Sequence, residues 1–315
     1  MKIALCIDGS GAFNDGTYAK EMGRSFVHQI WDTASMDVAP KYWRGPDMTG
    51  LKPQANAGVT GAKAFIEYLS SLYNRGTSSQ FEIYICGYSR GAMCAIYVAN
   101  RIAQFNSIHK FSSKTSNFFK RNLGFSQDQV VDVKIKSLVL FDAVDSDLTM
   151  MGTLDSIPGI VEKCQHFVCK APATGNRSRD EFNRLILTRD GSGGEKINVS
   201  YYECTHSAIG GIPGEGDNTK PIQSKMQAAK SGAANMALAA MGNPLMAGPI
   251  LAGGVAAGLA QRAVDQTFFT SGISVDQDWK VYPGLCSEVN KVLATHGWGA
   301  KITPYSRSRG ASGSW

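Results

Sequence analysis

The sequence predicts an α/β protein: a mostly parallel sheet with helices on both faces and a helical cap or insertion. Three observations carry that expectation. Short apolar runs alternate with stretches of helical spacing up to about residue 204. The runs are nearly continuous in hydrophobicity, as strands covered on both faces are. Several end in polar or glycine turns, and open α/β sheets carry their functional groups at the carboxyl ends of strands.

The first run, Lys2–Ile7, reads as a buried strand that opens into Asp8-Gly9-Ser10-Gly11. Residues 17–34 place Met22, Phe26 and Ile30 at helical spacing and predict the first helix. Residues 41–46 read as a brief strand that Gly45-Pro46 punctuates. Residues 59–73 put Ala62, Phe65, Ile66, Leu69 and Leu72 on one helical face, which Asn74-Arg75-Gly76 stops. A strand over 81–86 and a helix over 92–102 follow. Residues 104–132 lack clean periodicity and are expected to form a helical excursion or a surface insertion. Residues 135–141 predict the next strand, 149–183 loops with room for one helix, and 197–204 the last clear strand. Arg177-Ser178-Arg179-Asp180-Glu181 reads as a solvated face. No internal repeat is visible. The expected division is a catalytic core over 1–215, an Ala/Gly-rich cap or lid over 216–275, a C-terminal helix packed on the core over 276–305, and a flexible tail over 306–315.

Composition excludes several classes. Hydrophobic residues make up 43% and charged residues 18% of the 315, which fits a packed globular chain and not a disordered one. A net charge of +6 is mild, and the basic residues form no stripe of the kind that tracks nucleic acid. Seven scattered cysteines, without Cys-x-x-Cys, predict buried thiols in a chain made under reducing conditions and no metal site. The first apolar run is too short for a signal peptide, so a cytoplasmic location in the producing cell is expected.

Chemistry centres on Gly87-Tyr88-Ser89-Arg90-Gly91, a Gly-x-Ser-x-Gly between a predicted strand and a predicted helix. That is the context of a nucleophile elbow: the turn is sharp, and the serine sits beside a helix N-terminus that favours developing negative charge. A serine needs a base, and the base needs a partner that fixes its tautomer. The strand ends offer Ser89, then Asp142, then His206, the order of an α/β-hydrolase triad. Asp142 is favoured as the acid over Asp145 and Asp147, because it stands at the strand end itself. His166 and His296 are the fallback bases. An oxyanion hole needs two backbone N–H groups, expected from Arg90 and from Gly9 or Ser10. Asp8 is expected to order that loop and not to take part in chemistry. No cofactor is implied.

Four segments in order, Asp8-Gly9-Ser10, Gly87-Tyr88-Ser89-Arg90-Gly91-Ala92, Phe141-Asp142-Ala143-Val144 and His206-Ser207-Ala208-Ile209-Gly210-Gly211, make a set more specific than the elbow alone. Together they resemble a family of bacterial α/β-hydrolases that includes type VI secretion phospholipase effectors. That family carries an Asp-Gly-Thr loop, a Gly-Phe-Ser-Arg-Gly-Ala elbow, a Trp-Asp-Thr-Val strand end and a His-Ser-Asp-Val-Gly-Gly block. The resemblance covers about residues 1–215. It implies Ser89 as nucleophile, Asp142 as acid and His206 as base. It also implies a lipid or phospholipid substrate, export without a signal peptide, and an immunity or secretion-machinery partner. Ser10 and Ala208 depart from the family's threonine and acidic residue, and 149–184 matches poorly.

Residues 232–260 carry no charge and are rich in Ala, Gly and Met, with Pro244 and Pro249 interrupting them. Buried cap helices are favoured over membrane contact, because Ala and Gly are only weakly apolar. Two rival functions stand beside a lipase. One is an esterase, thioesterase or peptidase acting on a soluble substrate, and the other is a catalytically silent binding protein of the same fold.

Overall fold

The computed structural model describes residues 1–10, 15–45, 61, 64–69, 71–72, 75–76, 80–111, 132–144, 156–169, 188–189, 197–213 and 275–307. Its described elements, in chain order, are β1 (Lys2–Ile7), α1 (Asp15–Met22), α2 (Phe26–Thr33), β2 (Lys41–Trp43), β3 (Gln80–Tyr88), α3 (Arg90–Phe111), β4 (Asp132–Phe141), β5 (Ser156–Ile157), β6 (Val161–Cys169), β7 (Thr188–Arg189), β8 (Asn198–Tyr202), α4 (His206–Ile209) and α5 (Val275–His296). Six strands form one sheet in the order β2-β1-β3-β4-β6-β8, and each neighbouring pair is parallel. β5 and β7 form a separate two-stranded pair.

Successive side chains of a strand point to opposite faces, and both faces here are apolar. Ile3, Leu5 and Ile7 of β1, with Ile83 and Ile85 of β3, face α3 and the helical residues 64–69 and 71–72. Ala4 and Cys6, with Tyr84 and Cys86, face α2 and α5. The result is three layers, with the sheet buried between helices. On the α5 side, Phe26 stacks on Tyr282 with centroids 5.9 Å apart, and Phe141 stacks on Phe167 at 5.4 Å. All seven cysteines are free and buried.

The topology positions the site. β1 lies between β2 and β3, so the chain leaves β1 in one direction and later crosses back to its other side. That reversal opens a crevice outside the carboxyl ends of β1 and β3, where ligands bind in open α/β sheets. Gly9-Ser10 leave β1 there, and Ser89 leaves β3 there.

Several expectations are corrected. The single helix over 17–34 is two, α1 and α2, because Ser25 stops the first and caps the second: its hydroxyl accepts the His28 N–H at 2.9 Å. The 149–183 stretch, read as loops and one helix, supplies β6, a central strand between β4 and β8. The helix expected over 92–102 is longer: α3 runs from Arg90 to Phe111, into the stretch from 104 that lacks clean periodicity. The C-terminal helix expected over 276–305 is α5, which ends at His296 and packs on the core through Tyr282, Leu285, Val289 and Leu293. The cap segment 232–260, Asp145, Asp147 and tail residues 308–315 lie outside the described residues. Among the described residues, no helix is long and apolar enough to cross a membrane.

Candidate active site

The elbow follows from backbone geometry. Ser89 has φ of +56°, left-handed backbone that a non-glycine residue rarely adopts. Its N–H donates to the Phe141 carbonyl at 2.9 Å, and its own carbonyl accepts the Ala92 N–H at 3.0 Å, so β4 and α3 hold the strained turn from both sides. Gly91 is required by close approach, since a Cβ there would stand 2.0 Å from the Asp8 carbonyl oxygen. Helix and first strand therefore touch backbone to backbone beneath the serine.

Three side chains separated in sequence meet at this turn. His206 Nε2 lies 2.9 Å from Ser89 Oγ, and His206 Nδ1 lies 2.8 Å from Asp142 Oδ2. A carboxylate only accepts, which assigns the ring proton to Nδ1 and leaves Nε2 to accept the serine O–H. Asp142 also has left-handed backbone, at φ +43°. Its N–H donates to the Phe167 carbonyl at 2.7 Å, and its Oδ1 accepts the Cys169 N–H at 3.2 Å. The unpredicted strand β6 thus fixes the predicted acid. Ser89 and Asp142 are 8% and 5% exposed, so the pair sits in a largely water-excluded place where hydrogen bonds are strengthened.

The fallback histidines are elsewhere. His166, buried on β6, accepts the Ala143 N–H at Nε2 over 3.0 Å and so braces the turn after Asp142. His296 contacts Ser137 Oγ at 2.8 Å, and burial, with Lys163 nearby, lowers its pKa to about 4. Of the two candidates for the second oxyanion donor, the Gly9 N–H donates to Asp8 Oδ1 at 2.8 Å, which favours Ser10. Ser10 remains, and its hydroxyl accepts a short hydrogen bond from Arg90 Nε, linking the β1 loop to the residue after the nucleophile.

Asp8 orders the loop, as expected. It is fully buried and accepts from Ser25 Oγ, Tyr42 Oη and its neighbour Gly9. Burial pushes its pKa up to about 6 against the opposing pull of those three bonds.

Several supporting residues carried no signal in the sequence. The Tyr88 ring stacks on the His206 ring at 5.0 Å, and its hydroxyl donates to the His206 carbonyl at 3.3 Å. It fills the space between the oxyanion loop and the His206 turn: a Cβ on Gly9 or on Gly210 would stand 2.4 Å from its ring. Burial, then the charges of Asp142, Asp8 and Asp278, hold the Tyr88 pKa far above its ordinary value, so it stays a neutral donor. Thr205 caps the helix that carries His206 and is held by Asp278. An x residue in an elbow, or an Asp in a distant helix, has no local pattern to distinguish it. Among the described residues, no group of three or more His, Cys, Asp or Glu is placed to hold a metal ion.

No protein family matches the chain. No curated protein matches it either. Among solved structures, the chain is similar to the crystal structure of an uncharacterized protein from Pseudomonas aeruginosa, at 15% identity and a TM-score of 0.39. That match covers 94% of this chain and 50% of the other, so the chain spans half the length of that neighbour.

Proposed function

We propose that the chain is a serine hydrolase of the α/β-hydrolase type that cleaves carboxylic esters through an acyl-enzyme, with a lipid or phospholipid as substrate. The observation that carries this is the continuous hydrogen-bonded path from Ser89 Oγ through His206 to Asp142. The strained serine between a parallel strand and a helix, at the sheet's switch point, supports the same reading.

Ser89 Oγ attacks the ester carbonyl carbon as His206 Nε2 takes its proton. The carbonyl oxygen becomes an oxyanion, which the N–H groups of Arg90 and Ser10 are assigned to hold. Asp142 keeps the ring oriented and stabilises the imidazolium that forms. His206 then protonates the leaving alkoxide as the C–O bond breaks, giving an alcohol and acyl-Ser89. Water, deprotonated by His206, attacks the acyl carbon, and Ser89 leaves with the proton that His206 returns. No cofactor enters any step. The lipid preference, and service as an exported antibacterial effector with an immunity partner, rest on the resemblance of the four motif segments.

The test compares wild type with Ser89→Ala on p-nitrophenyl butyrate and on phospholipid liposomes, with products read by mass spectrometry. Loss of at least about 10³-fold in kcat on Ser89→Ala is expected. More than a tenth of wild-type kcat in folded Ser89→Ala would sink the proposal. Turnover of the soluble ester alone would remove the lipid assignment and keep the hydrolase.

A further inference from the structure

We infer that Asp278 is a positioning residue for His206, so that α5 belongs to the active-site machinery as well as to the core. The inference rests on the hydrolase reading of the site and extends it to a residue 73 positions beyond Thr205 along the chain.

His206 opens α4, a helix of four residues. One turn of helix has no stability of its own in water, so its orientation has to come from its neighbours. The His206 side chain is 20% exposed, and it must hold two hydrogen bonds at once, to Ser89 and to Asp142. Small rotations of α4 would break one bond or the other. What sets α4 is therefore what sets the base.

Asp278 grips the first residue before that turn with both oxygens. The Thr205 N–H donates to Oδ1 at 2.7 Å, and the Thr205 hydroxyl donates to Oδ2 at 2.6 Å. A hydroxyl has one proton, so giving it to Asp278 leaves a lone pair for the Ala208 N–H, 3.2 Å away. Asp278 thereby sets both the place of Thr205 and the direction of its cap. The carboxylate is fully buried and Thr205 is 6% exposed, and charge-assisted bonds in such surroundings are short and stiff. Asp278 stands in the first turn of α5, and each of its oxygens accepts from Thr205. The other end of α4 is held too. Its Gly210 carbonyl accepts the Phe26 N–H at 2.8 Å, and the Gly211 carbonyl accepts the Tyr305 hydroxyl at 3.1 Å. Residues on α5 and just beyond it thus hold α4 at both ends, with the Tyr88 ring against His206 between them.

The experiment uses full-length Asp278→Asn, Thr205→Val and Thr205→Ser. It makes three measurements: the kinetics (kcat and KM) on p-nitrophenyl butyrate, corrected to folded protein by thermal unfolding; the rate of fluorophosphonate labelling; and the downfield ¹H resonance of the His206 Nδ1–H. Asp278→Asn and Thr205→Val are each expected to lower kcat at least about tenfold with KM within about twofold, since a misplaced base costs turnover before binding. Thr205→Ser, which keeps the hydroxyl, is expected to retain activity. The double variant should fall no further than the worse single one, because both act through one contact. The His206 resonance should shift or broaden in Asp278→Asn. Wild-type kcat and an unchanged resonance in Asp278→Asn would overturn the inference; if that variant does not fold, the same result in Thr205→Val would do so. Failure of the hydrolase reading is separately visible, as a wild type that neither labels nor turns over while the His206 resonance still responds to Asp278→Asn.

Discussion

Ser89 and Asp142 are the two non-glycine residues with positive φ among the described residues, and both belong to the candidate triad. Each left-handed residue costs about 1–2 kcal/mol, and such strain persists only where the surroundings over-determine it. Here the Phe141 and Phe167 carbonyls, each accepting one of the two N–H groups, do that. The strain is measurable apart from activity. Ser89→Gly and Ser89→Ala both remove the hydroxyl, but only glycine relaxes the backbone. Ser89→Gly is expected to be the more stable by about 1 kcal/mol in urea unfolding, with both variants inactive. Equal stability, or a more stable alanine variant, would show that the turn is not strained.

At the scale of elements, the loop after β1 and the start of α2 are one unit, because Ser25 both caps α2 and donates to Asp8. Ser25→Ala removes a cap and a bond to a buried carboxylate, and is expected to cost about 2 kcal/mol. The cost depends on pH with a definite sign. The folded Asp8 pKa, about 6, lies above its ordinary value of 3.8, so the folded chain binds the proton more tightly and Asp8 erodes stability as pH rises from about 4 to about 6. Ser25 favours the ionised form, so the penalty of Ser25→Ala is expected to be larger at pH 8 than at pH 4.5 in denaturant titrations. A penalty that does not change with pH would mean that Asp8 stays in one form throughout. The break before Ser25 was hidden in the sequence because the periodicity of Met22, Phe26 and Ile30 runs through it, while the partner that fixes the cap, Asp8, lies in the distant loop after β1. β6 was hidden for a related reason. Its run is interrupted by Glu162, Lys163, Gln165 and His166, and each is served by a distant partner: Lys136, the Thr295 carbonyl, Ser200 and the Ala143 N–H. β1 has no such interruption after Lys2, β3 and β4 each keep an unbroken apolar run, 83–86 and 138–141, and all three were legible. So were Ser89, Asp142 and His206, each at or just past a strand end; Tyr88, Thr205 and Asp278 matter only through contacts that the fold creates.

For the molecule as a whole, the parallel sheet brings Ser10, Ser89, Asp142 and His206 to one edge, and the C-terminal region closes the opposite helical layer. Trp298, past the end of α5, is fully buried and donates to Ser137 Oγ at 2.8 Å in the middle layer. Trp298→Ala is expected to cost about 3–5 kcal/mol in unfolding, as a core aromatic does. A loss under about 0.5 kcal/mol would make the segment an appendage. The central claim is that this edge activates Ser89 as a nucleophile. The most direct measurement maps the covalent adduct of a fluorophosphonate probe by peptide mass spectrometry, in wild type and in folded His206→Ala. The expected result is one adduct, on Ser89, formed at least about 10³-fold more slowly without His206. An unlabelled folded wild type, or a Ser89 labelled equally fast in His206→Ala, would contradict the claim.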